Sequence, residues 1–210
     1  MIMTTFLINS SAGVTTRPLV IHLPESLRLS EEDFYEFCQL NRELKVERTA
    51  SGVILIGSPP GGETGSRSSE INMQLRFWSK RDGTGAVFDS STGFILPNGA
   101  ERSPDAAWVL HTRLAQLSPE SRKKFLPLCP DFVIELKSTS DRLENLQAKM
   151  EEYIENGTQL GWLLDPDKRR IYVSVRGAPV RIVEAVTSIS GDPPLTGFTL
   201  DLKDVWKSLV

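Results

Sequence analysis

The chain switches several times between helical and alternating hydrophobic spacing, and the switches outline its elements. In "LSEEDFYEFCQLN" (29–41) Phe34, Phe37 and Cys38 form a short helical stripe, with Ser30 as the N-cap and Asp33 three residues on. "LKVER" and "GVILIG" flank a turn at 49–52 and read as a hairpin. "SPPGGETGSR" (58–67) is a loop opening a helix of about four turns that ends near Arg81, in which Ile71, Leu75 and Trp78 recur. "GTGAVFDSSTGFILPNGAERSPDAAWVL" holds three short strand candidates between turn residues. "DFVIELKS" (131–138) is a strand followed by a helix with the stripe Leu143, Leu146, Met150 and Tyr153. Asp141 with Glu144 fits a capping box at its start, and Asn156-Gly157 fits its stop. "LGWLLD" is a buried strand, and "RIYVSV" and "PVRIVEAV" suit a meander. The order predicts a mixed α/β sheet in a single domain over 21–210, behind a flexible N-terminal arm over 1–20.

Composition narrows the classes. Apolar residues make up 40% and charged residues 24%, enough for a sizeable core. A net charge of −3 and a pI near 5.5 argue against gripping nucleic acid by bulk positive charge, while leaving room for a local basic cleft. Cys38 and Cys129 lie far apart in no ligand spacing, as reduced thiols in a cytoplasmic protein would. No apolar run is long enough to span a membrane, and the N-terminus does not read as a signal peptide.

Candidate chemistry centres on "DFVIELKS". Alternation puts Phe132, Ile134 and Leu136 on one face and Val133, Glu135 and Lys137 on the other. Asp105, in "SPDAAWVL", sits at the mouth of another strand. If the two strands pair, Asp105 and Glu135 converge, and two close carboxylates repel unless they share a proton or a cation. Mg2+, or Mn2+ in its place, takes such oxygens and keeps several waters. A nearby Lys137 would then orient a water or neutralise developing charge. Taken singly, the bland readings compete: Asp105 as a turn residue, Glu135 and Lys137 as an ion pair at a sheet edge. Asp131 faces with Glu135 but lies about 13 Å upstream, which favours Asp105. Asp165 reads as a turn residue. "SRKKF" (121–125) with Arg113 is by default a solvated charge cluster, and the four Trp read as core. Walker-type phosphate loops, paired His ligands and the Gly-x-Ser-x-Gly elbow are all missing from the sequence.

"SPD" followed by "ELK" resembles the PD-(D/E)xK nuclease signature. The stretch from about 44 to 205 resembles the Uma2 (DUF820) family of endonucleases. "SPPGGETGSR", "VFDSSTGFILPNGAERSPDAAWV", "PDFVIELKSTSDRLENLQAKMEEYIENG" and "LGWLLDP" carry the likeness in order. The resemblance implies a restriction-endonuclease-like core, a central mixed sheet flanked by helices, with an extra N-terminal helix and hairpin and a C-terminal meander. It implies a Mg2+ site, DNA as substrate and a homodimer cutting both strands. Asp105, Glu135 and the carbonyl of Leu136 would hold the ion, and Lys137 would position the water. Glu70 matches a helical Glu that often joins such sites, as a ligand or through a water. Lys149, on the flank of its helix stripe, would be a second cation facing the site, in contact with phosphate. The rival reading is a nucleic-acid-binding or assembly module that keeps the fold without turnover; a third is a phosphoesterase acting on something other than DNA.

Overall fold

The computed structural model describes residues 18–209. In chain order, β1 (Leu19–Ile21) leads to α1 (Glu31–Leu40), the hairpin of β2 (Lys45–Arg48) and β3 (Ile54–Gly57), and α2 (Gly62–Asp82). Then come β4 (Gly85–Asp89), β5 (Phe94–Ile95), β6 (Glu101–Arg102), β7 (Ala106–Leu110) and the short α3 (His111–Leu114). β8 (Phe132–Leu136), α4 (Leu143–Glu155), β9 (Leu160–Asp165), β10 (Arg170–Val175) and β11 (Arg181–Glu184) follow. A hairpin of β12 (Ser188–Ser190) and β13 (Thr199–Asp201) ends the series. Residues 1–17 of the expected arm lie outside the described residues. Leu19 and Val20, assigned to that arm, belong instead to β1, which pairs with β3.

The central sheet runs β11-β10-β9-β8-β7-β4. β8 and β9 are parallel, and their neighbours pair antiparallel. A parallel pair needs a crossover, and α4 supplies it. A second sheet, β1-β3-β2-β6-β5, stands beside it.

Alternation along β8 divides the core. Phe132, Ile134 and Leu136 face Ile71 and Leu75 of α2, together with Trp162, Phe198 and the C-terminal hairpin. Val133 faces the opposite way, toward Met150 and Tyr153 of α4, with Ala107 and Val109 of β7. The first face is packed by aromatic rings: Phe132 meets Trp162 edge-on at 4.9 Å and Trp162 stacks on Phe198 at 5.9 Å. Cutting Trp162 to Ala would cost about 3–5 kcal/mol. On the second face Gly161 lets α4 lie close to β9, since a Cβ there would meet the Met150 methyl at 2.3 Å.

Local expectations fare unevenly. The Ser30/Asp33 capping box forms at α1, and the β2–β3 hairpin has its expected antiparallel register. α2 is longer than predicted because it begins inside the Gly-rich loop. The Asp141/Glu144 box does not form: Asp141 accepts instead from the N–H and hydroxyl of Ser138, and Arg142 takes the uncapped N-cap position. The segment 84–110 holds four strands rather than three, because β5 and β6 are a two-residue pair joined through Leu96–Ala100.

Candidate active site

Extending the β7–β8 ladder by one step puts Asp105 directly across from Glu135, since Ala106 pairs with Ile134. The two side chains share the face covered by α4, with Cβ atoms about 4.5–5.5 Å apart. Asp105 closes the ladder itself: its Oδ2 accepts the N–H of Leu136 at 2.8 Å. Asn72 of α2 holds the backbone carbonyl of Asp105 at 2.9 Å.

Glu135 is buried, and its Oε1 takes both cationic and neutral donors from α4. Lys149 Nζ lies 2.8 Å away and the Tyr153 hydroxyl donates at 3.1 Å. Lys149 and Tyr153 are four apart, hence stacked on one helix face. Lys149 also lies 2.8 Å from Glu47 Oε1, so it bridges two buried carboxylates. Glu47 in turn accepts the Ser103 N–H at 2.9 Å and sits 3.4 Å from Arg102, which pairs with Glu152 at 2.6 Å. Beyond Asp105, Lys45 Nζ lies 3.3 Å from its Oδ1. The groups thus form a row of charges in which four carboxylates (Asp105, Glu135, Glu47, Glu152) meet three cations (Lys45, Lys149, Arg102), with Asp105 and Glu135 as adjacent like charges.

The titrations follow this row. Burial pushes Glu135 up to about 7, with the Asp105 and Glu47 charges adding to it and Lys149 and Lys45 opposing. Burial also works to raise Glu47, but Lys149 and Arg102 overcome it and hold its carboxyl down at about 2. Lys149 is raised above the ordinary lysine value: burial opposes this, and Glu135 and Glu47 outweigh it. Burial and the neighbouring Glu135 raise the Tyr153 phenol, which keeps it a donor.

The structure brings together Asp105, Glu135 and Lys149, while among the described residues Lys137 and Glu70 make no hydrogen bond or ion pair with them. Lys137 lies past the end of β8, where its ammonium meets the Ser138 carbonyl at 3.3 Å and Asp167 at 3.9 Å. Glu70 lies on the wrong helix face. It accepts from Gln74 at 2.7 Å, and Gln74 exchanges two bonds with the backbone of Asp201. It borders a shallow groove with Ser66, Met73 and Asp204. Asn72, the α2 residue that reaches Asp105, is roughly 160° around the helix from Glu70. α2 also packs on the sheet face opposite to Glu135. Asp131 is tied to Leu110 N–H, Arg113 and Gln159. Asp165 ends β9, with one oxygen accepting from Lys168 N–H at 3.4 Å. Arg122 and Lys124 of the basic cluster are held by local carbonyls and by Glu32.

Sequence reasoning missed Glu47 and Lys45. Both stand on β2 in "KVER", and alternation alone puts them on one face, with Val46 packed toward α1 on the other. What the sequence does not carry is that this second sheet turns that face onto the first sheet's carboxylates.

A restriction-endonuclease-like core with a paired acidic site on its central sheet is the class these features define. The chain belongs to the Uma2 family: the family model described as "Putative restriction endonuclease" matches residues 31–203. Among solved structures it is similar to "a putative nuclease belonging to DUF820 from Anabaena variabilis ATCC 29413", at 18% identity and a TM-score of 0.65. The match covers 77% of this chain and 89% of that one, and shows the shared fold. No curated protein matches the chain. No helix among the described residues is long and apolar enough to cross a membrane.

The donors can be weighed against a divalent ion. No group of three His, Cys, Asp or Glu side chains suited to holding a metal stands together among the described residues. A hard ion such as Mg2+ does not need three, since one or two carboxylates and several waters suffice. Asp105 and Glu135 face each other, and each already carries an ammonium on one oxygen. A pair of carboxylates that attracts cations in this way suits Mg2+ or Mn2+.

Proposed function

We propose that the chain is a Mg2+-dependent endonuclease that hydrolyses DNA phosphodiester bonds at the Asp105–Glu135 site. The observation that carries this reading is the cross-strand placement of the two carboxylates in a row holding one more acid than base. Membership of a family described as restriction endonucleases supports the reaction class.

Asp105, Glu135 and the carbonyl of Leu136 would hold the ion, with Mn2+ able to replace Mg2+. When bound, such an ion supplies a water of lowered pKa and positive charge against the phosphate. The chain's own groups do the rest. The Leu136 N–H fixes the Asp105 carboxylate through Oδ2, leaving Oδ1, now met by the Lys45 ammonium, to turn to the ion. Tyr153 and Lys149 fix Glu135 through Oε1, leaving Oε2 for the ion. Lys149, kept charged by its two carboxylates, is the cation placed to orient a water or meet a phosphate oxygen. Lys137 and Glu70 have no part in this scheme. Cutting both strands of a duplex would take two sites, as a homodimer in the cytoplasm would provide. The test is plasmid DNA with Mg2+ or Mn2+: wild type should cut and Asp105→Asn should not. Cutting by Asp105→Asn at the wild-type rate would refute the assignment.

A further inference from the structure

Asp105 has one oxygen committed to the fold and one turned to a cation. Oδ2 accepts the Leu136 N–H, whereas Oδ1 is met, among the described residues, by Lys45 alone at 3.3 Å. Lys45 comes from the second sheet, where β2 alternation sends Lys45 and Glu47 toward the site and Val46 away from it. The two ends of the charge row differ in access to water. Lys149 is enclosed between Glu135 and Glu47, its side chain 13% exposed. The Lys45 side chain is 39% exposed and that of Asp105 23%. A pair this open is weak and easily exchanged, while a buried bridge is not.

We propose that Lys45 is a built-in counter-cation of the site: its ammonium occupies the open oxygen of Asp105 until a divalent ion displaces it, and so Lys45 sets the affinity for that ion. This rests on the metal-site reading above. Lys45 is a positioning residue here, acting on the site's charge rather than on substrate. Its long stem lets the ammonium swing into water without disturbing β2, whose backbone is held by β3 through the Lys45–Gly57 pairing. The arrangement keeps Asp105 neutralised before the ion arrives and holds its carboxylate in the orientation the ion needs.

The test is a calorimetric titration of Mn2+ into the wild-type protein, Lys45→Met and Lys45→Arg, with no DNA present. Lys45→Met keeps the stem and removes the charge, and should bind Mn2+ about three- to fivefold more tightly, the range a half-exposed ion pair supports. Lys45→Arg keeps the charge and should stay within about twofold of wild type. Mn2+ should also raise the melting temperature of Lys45→Met more than that of wild type, because tighter binding to the native state stabilises more. Damage to the site would weaken binding, so a gain in affinity separates competition from a structural role. Unchanged or weaker Mn2+ binding by Lys45→Met overturns the inference and leaves the nuclease reading standing. No Mn2+ binding by any of the three proteins overturns both. Tighter binding by Lys45→Met, with no DNA cut by the wild type, keeps the inference and counts against the nuclease.

Discussion

Lys149 lies 2.8 Å from Glu135, although fourteen positions of chain separate them, while Lys137, two positions from Glu135, points elsewhere. The strand ends at Leu136, and the chain then turns into the Ser138–Asp141 loop. The Lys137 N–H still bonds the Leu164 carbonyl at 2.8 Å, but its ammonium turns to the Ser138 carbonyl and Asp167. Helix α4 crosses back over the same sheet face and delivers Lys149 in its place.

This exchange of lysines sets the first prediction. Lys149→Met should lower cutting by roughly 100-fold or more, the usual cost of removing a group that stabilises developing charge. Lys137→Ala should stay within about threefold of wild type. Initial rates on plasmid DNA measure both, and the reverse ranking would return the role to Lys137.

The second concerns Glu135 and pH. Burial, aided by Asp105 and Glu47, raises its carboxyl from 4.5 to about 7 in the folded protein. A folded value above the unfolded one favours folding fully below about pH 4.5 and loses that contribution as pH rises to about 7. The melting temperature of wild type should therefore fall relative to Glu135→Gln across that window, read by calorimetry at fixed ionic strength. A difference that stays flat would remove the raised carboxyl from the account.

Glu47 should behave with the opposite sign. Despite its burial, Lys149 and Arg102 hold it at about 2, below the usual 4.5. Its contribution is present above about pH 4.5 and disappears as pH falls toward 2. Glu47→Gln leaves Lys149 and Arg102 short of a partner, so it should lose about 3–5 kcal/mol at neutral pH. Urea unfolding should show that gap narrowing on acidification. A neutral-pH loss below about 1 kcal/mol would mean that Glu47 is not the anchor of Lys149.

Where neighbours in sequence set the geometry, the sequence was readable. The Ser30 cap, the β2–β3 hairpin and the two faces of β8 all follow from local spacing. Asp105 and Glu135 were readable too, because both end up on one face of paired strands. Lys149 was visible only as a cation flanking an apolar stripe, since the angle at which α4 crosses the sheet decides what it touches. Glu70 misled because its helix was known but not the sheet face that the helix covers. Lys45 and Glu47 were hidden for a related reason: their strand lies in a different sheet, and contact between sheets has no local signature.

The most direct measurement is the cutting of plasmid and single-stranded DNA with Mg2+ or Mn2+ by wild type, Glu135→Gln, Lys149→Met and Glu70→Ala. The account predicts metal-dependent cutting by wild type and by Glu70→Ala at similar rates, and loss of roughly 100-fold or more in the other two. Full activity in Glu135→Gln, or no cutting by folded, Mn2+-bound wild type, would contradict it.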